Sequence, residues 1–178
     1  MKKFKALSLA ALAAATAFIP TTAQARNVDN AHMELARAIV STGVQLKINP
    51  VECKTKNAMG WYWAARNEMV ICQENARGSQ EVNWTAEDFD TLRHEAQHLI
   101  QDCMNGHLDG NLGSVYKDPI ALAKGTLTQR QIKAIIESYA ENGASEHIII
   151  MELEAFSVAA MNDPAEQAGD IAKYCFWS

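Results

Sequence analysis

Between Thr85 and Cys103 the chain reads TAEDFDTLRHEAQHLIQDC, and no other stretch restricts the fold as much. Phe89, Leu92, Ala96, Leu99 and Cys103 recur at helical spacing, which predicts an amphipathic helix over about 86–103. Thr85 and Asp88 occupy the two positions of a capping box, with Asp in place of the usual Glu or Gln. Asn105-Gly106 ends the run. The helix must bury one face, and another face carries His94 and His98. An i, i+4 pair of histidines shares one side of a helix, so both imidazoles can reach a single metal ion. Glu95 is rotated by about 100° from His94. Its carboxylate therefore lies beside such a metal, where it can take a proton from a water. The plain alternative is two histidines and a glutamate on a solvated surface.

The N-terminus bears on where such a site would work. MKKFKALSLAALAAATAFIPTTAQA has three lysines, an Ala/Leu run, a break at Pro20 and small residues at Ala23 and Ala25. That order predicts a secretory signal peptide over 1–25, with residues 26–178 as the domain. The apolar run is shorter than the ~20 residues a membrane span needs. The exported product is expected to be secreted or periplasmic, with no membrane attachment once the signal is removed. The formal net charge of −5 becomes about −8 once Lys2, Lys3 and Lys5 leave with the signal. An acidic domain of this kind argues against a nucleic-acid partner or an anionic membrane surface.

All four cysteines, Cys53, Cys72, Cys103 and Cys175, follow the signal. An even count in an exported chain reads as two disulfides, and the spacing is not that of a cysteine zinc ribbon. Three pairings are possible. Cys53–Cys72, closing a local loop, is favoured, and it leaves Cys103–Cys175.

The remaining pattern is α+β: a small antiparallel or mixed sheet, or a single hairpin, ahead of the 86–103 helix, with several helices after it. Asp29-Asn30 can cap a helix over about 31–41, stopped by Gly43. Gln45–Ile48 reads as extended. MGWYWAARNEMVICQEN reads as two extended runs around Arg66-Asn67-Glu68, a hairpin signal. Residues 105–127 are Gly-rich and polar and are expected to be loop or short turns. Thr128 and Gln131 form a second capping box before a helix to about Glu141. Further helices are expected over 145–162 and, with Asp163 as cap and Pro164 in the first turn, up to about Cys175. The terminal KYCFWS is expected to pack through Phe176 and Trp177.

The HEAQH motif in this setting resembles the zincin metallopeptidases, and the resemblance spans the element order of roughly 55–162. It implies zinc as cofactor, with His94 and His98 as ligands, Glu95 as general base and a peptide or protein as substrate. The third ligand sets the subfamily. The metzincin position holds Met104, and His107 is out of register. Asp109 could serve an aspzincin pattern but lacks its surroundings. Gluzincins draw a Glu from a later helix, and MELEAFSVAA offers Glu152 in that slot, with Glu154 as its rival. Glu152 shares a stripe with Ile148, Ala155, Phe156 and Ala159, and a carboxylate on an inward face needs a partner. Phe156 stands where that family often has an Asp that orients one ligand histidine. The same resemblance calls for a Tyr or His near the oxyanion, for which Tyr139, His147, Tyr116 and His107 are candidates. It also places an extended substrate on a sheet edge, expected near Met69–Cys72. Two other readings remain open: a zinc amidohydrolase of a non-peptide substrate, and a zincin-like binding module without turnover. An intact Glu95 weighs against the second.

Overall fold

The computed structural model describes residues 22–74, 83–106, 109–161 and 163–176, with side chains from residue 30 onward. Residues 1–21 of the expected signal, His107 and Trp177 lie outside them. The described elements run α1 (Thr22–Ser41), β1 (Gln45–Ile48), β2 (Gly60–Trp63), β3 (Glu68–Ile71), α2 (Ala86–Cys103), α3 (Pro119–Thr126), α4 (Gln129–Glu141), α5 (Glu146–Met161) and α6 (Pro164–Phe176). The fold is α+β, with six α-helices and one small mixed sheet among the described residues.

The predicted hairpin is β2 and β3, antiparallel with Trp61 opposite Val70. A short 3-10 turn over Ala64–Arg66 and Asn67 at φ +51° reverse the chain between them. β1 adds on the other side of β3, parallel, with Gln45 opposite Glu68 and Ile48 opposite Ile71. The strand order is therefore β1-β3-β2. This corrects one expectation: Met69–Cys72 is not a sheet edge but the central strand and its continuation. Met69, Val70 and Ile71 are fully buried, as a strand covered on both faces requires. The edge that faces the later helices is β2.

Leu92, Ala96, Leu99, Ile100 and Cys103 of α2 pack with Leu35 and Ile39 of α1, Met69 and Ile71 of β3 and Ile171 of α6. Both capping boxes are present, Thr85 with Asp88 and Thr128 with Gln131. Two elements and one packing expectation differ from the sequence reading. α1 starts at Thr22, so Asp29 and Asn30 lie inside it rather than at its start. Residues 119–126 form a helix within the expected loop, with the Asp118 side chain accepting from the Ala121 N–H and Pro119 in the first turn. Phe176 is half exposed and does not pack inward. A smaller cluster of Ala123, Leu127, Ile135, Tyr139 and Leu153 joins α3, α4 and α5.

Two disulfides close the frame, Cys53–Cys72 and Cys103–Cys175. The first fixes the turn before β2 to the end of β3. The second fixes the end of α2 to α6. Their sequence separations are 19 and 72 residues. Loop-closure entropy then gives about 3 and about 4 kcal/mol of stabilisation respectively. Replacing Cys103 and Cys175 together by Ala is expected to cost more in chemical denaturation than replacing Cys53 and Cys72. The reverse order would mean that loop length does not govern their contributions.

Candidate metal centre

An amphipathic helix ordinarily turns its polar side to water. α2 does not. Arg93, Glu95, Gln97, His98, Gln101 and Asp102 are buried along with its apolar residues, because α5, β2 and the segment 110–116 cover the polar side. Each buried polar group then needs a partner, and α5 supplies two carboxylates.

Glu152 meets the histidines. Its Oε2 lies 3.2 Å from His94 Nε2 and 3.3 Å from His98 Nε2, and the two Nε2 atoms are 3.1 Å apart. The three atoms form a nearly equilateral triangle. Among the described residues this is the group of three or more His, Cys, Asp or Glu side chains arranged to hold a metal ion. Adjacent ligands on a tetrahedral zinc with bonds of 2.0–2.1 Å stand about 3.3–3.4 Å apart. The triangle matches that spacing without rearrangement. Glu152 Oε2, the oxygen in the triangle, is buried and makes no well-directed hydrogen bond within the protein. The donor set of two imidazoles and one carboxylate suits zinc. On geometry, donor chemistry and the orphaned Glu152 oxygen, the residues fit the ion.

Glu154 is fully buried, and its oxygens are already engaged. They accept from Gln97 Nε2 (3.0 Å), Gln101 Nε2 (3.1 Å) and the backbone N–H groups of Val115 and Tyr116 (both 3.2 Å), with the Ser114 hydroxyl against them. Of the two glutamates in ELEAF, Glu152 faces the histidine stripe and Glu154 the Gln97–Gln101 stripe, about 60° further round α2. Asp109 is exposed and caps the Asn111 N–H.

The electrostatics follow from enclosure. Burial disfavours charge on His98, but the neighbouring Glu152 carboxylate outweighs it and raises the pKa to about 9. Burial would raise the Glu152 carboxyl, yet His98 and His94 hold it well below the usual carboxylate range. Burial pushes the Glu95 carboxyl up, with His94 and His98 pulling against it. Glu95 sits beside the triad, under the backbone of Tyr62.

Gly60 makes that approach possible. A Cβ there would stand 2.7 Å from Thr91 Cγ2, 2.8 Å from the Val70 carbonyl and 3.2 Å from Glu95 Cγ. Gly60→Ala is expected to lose about 1–3 kcal/mol in chemical denaturation as β2 is pushed off α2. A neutral effect would show that β2 does not pack this tightly.

The triad opens into a cleft of about 660 Å³, open mouth included, walled by Met59, Trp61 and Tyr62 on the sheet side and Phe156 on α5. Tyr139 lines it too; its buried hydroxyl lies against the Glu152 carboxylate without a well-directed hydrogen bond, and burial together with that carboxylate pushes its pKa up. His147 instead lies 2.8 Å from the Leu112 carbonyl, and Tyr116 lines a separate groove. Sequence reasoning missed Gly60 and Gln101. A lone Gly ahead of an aromatic strand is a signal of close backbone approach.

Residues 24–176 match the family described as Domain of unknown function (DUF8637). The chain belongs to that family. No curated protein and no solved structure matches it.

His98 yields a pH test. A folded-state pKa of about 9 against an ordinary 6.5 means its pairing with Glu152 stabilises the fold fully below about pH 6.5 and is lost as pH rises through about 9. Thermal melting of chelator-treated protein is expected to fall across that window, and Glu152→Gln to flatten the fall. A melting temperature that rises between pH 6.5 and 9 would contradict the pairing.

Proposed function

We propose that this chain is a zinc-dependent metallopeptidase of zincin-like, gluzincin type, with His94, His98 and Glu152 as metal ligands and Glu95 as general base. The observation that carries this reading is the 3.1–3.3 Å triangle of ligand atoms with Glu95 beside it. Zinc bound there would acidify a water and polarise a substrate carbonyl. Glu95 takes the proton of the attacking water and returns it to the leaving amine. Its carboxyl, buried beside the histidine pair at the cleft, is placed for both directions of transfer. The Tyr139 hydroxyl is the candidate for the developing oxyanion, because it lines the cleft beside Glu152 and keeps its proton through burial.

An extended peptide suits this cleft. β2 is an outer strand of the sheet and also a wall of the cleft, so a substrate strand can add to it through main-chain hydrogen bonds. Trp61, Met59 and Phe156 offer apolar contact to its side chains. Both disulfides point to an oxidising or extracellular compartment, and no helix among the described residues is long and apolar enough to cross a membrane. These features support an exported enzyme.

One observation favours the reading without turnover. Phe156 lies with its ring centroid 4.4 Å from that of His94, and His94 Nδ1 has no hydrogen-bond partner. A ligand histidine usually donates that N–H to a carboxylate or carbonyl. A binding module tolerates the gap more readily than an enzyme. Metal analysis and a mixed-peptide assay separate the two. The wild type is expected to hold one zinc per chain and to cleave. Glu95→Gln keeps the zinc and loses about 10²–10⁴-fold in rate. Glu152→Gln loses the zinc. Zinc without cleavage in the wild type selects the binding module, and absence of zinc removes both readings.

A further inference from the structure

Gln101 is the nearest polar neighbour of His98 on the side away from the triad. We propose that Gln101, anchored by Glu154, positions His98 by fixing which ring nitrogen carries the proton. The inference rests on reading His94, His98 and Glu152 as a metal centre, and it assigns the second glutamate of ELEAF a role there.

A glutamine amide has one accepting oxygen and one donating NH₂. Gln101 Nε2 lies 2.9 Å from the Met151 carbonyl and 3.1 Å from Glu154 Oε1. Both are acceptors, so the amide cannot be turned over without setting oxygen against two oxygens. Its Oε1 must then face His98 Nδ1, at 2.8 Å. An amide oxygen only accepts, so Nδ1 carries the hydrogen. In the neutral ring Nε2 is left as a bare lone pair. That atom is the one in the triangle with His94 and Glu152.

Glu154 is built to hold this orientation. Four N–H groups from α2 and the 115–116 backbone converge on its carboxylate, which is fully buried. The same anchor ties segment 114–116 to both helices. His94 has no such support: its Nδ1 is without a partner and its ring rests on Phe156. One ligand is held by directed hydrogen bonds and the other by packing.

Glu154→Gln would turn an NH₂ against N–H donors and unsettle the fold, so the test uses Gln101→Met with Gln97→Met as control. Each variant removes one hydrogen bond to Glu154 Oε1, but Gln97 makes no described contact with His98. Zinc affinity is read by chelator competition. Gln101→Met is expected to weaken it about 10–100-fold, and Gln97→Met to leave it within about threefold. Equal losses in the two variants would mean general packing and overturn the proposal. Nitrogen-15 NMR of the metal-free protein at about pH 10, above the His98 value of about 9, reads the ring itself. Nδ1–H in the wild type, giving way to a tautomer mixture in Gln101→Met, is the expected result. Nε2–H in the wild type overturns the assignment whether or not zinc binds. A wild type that binds no zinc removes the metal centre and with it this role for Gln101, even if Nδ1–H is found.

Discussion

Two buried carboxylates on α5 facing the polar side of α2 are the constraint on which the rest of the structure depends. Burying a carboxylate without a partner is prohibitive, so the α2–α5 contact can exist only where both are matched. Glu154 is matched by glutamine and backbone N–H groups, a permanent arrangement of neutral donors. Glu152 is matched by two imidazoles whose nitrogens converge with its oxygen on one point. The two glutamates are two residues apart and meet different partners, one a set of neutral donors and the other a histidine pair.

The surrounding frame keeps that contact in register. The capping box at Thr85 fixes the start of α2, and the Cys103–Cys175 bond fixes its end. Arg93, one turn before Gln97 on the same stripe of α2, donates from Nε to the Ala159 carbonyl at 2.9 Å, tying α2 to the end of α5. Gln167 of α6 donates to the Arg93 carbonyl at 2.8 Å. The Tyr62 hydroxyl donates to Asp102 at 2.8 Å, so the strand lining the cleft is anchored to the same helix. Position along α2 is thus specified at both ends and on three sides, and directional chemistry needs that rigidity.

Much of this was legible in the sequence, because it rests on local rules. Caps at Thr85, Thr128 and Asp163, the Arg66-Asn67 turn and the pairing of four cysteines follow from residue chemistry at short range or from elimination. The choice between Glu152 and Glu154 was only half legible. Both lie in one helical turn, and the deciding fact is which stripe of another helix each one meets. The burial of α2 on its polar side was not legible, since an amphipathic pattern says nothing of a second layer built from matched polar groups. The parallel addition of β1 beside β3, which turned an expected edge into the central strand, is a non-local pairing with no local signature. The helix at 119–126 was readable from Asp118-Pro119 and was masked by the glycines around it.

X-ray absorption spectroscopy of the zinc-loaded protein tests the central claim most directly, because it counts the ligand atoms themselves. The geometry predicts nitrogen and oxygen scatterers at about 2.0–2.1 Å, with the outer-shell signature of two imidazoles, and that signature falling to nothing with Glu152→Gln as the metal is lost. A shell with sulfur at about 2.3 Å, or zinc surrounded by oxygen alone without imidazole, would contradict it.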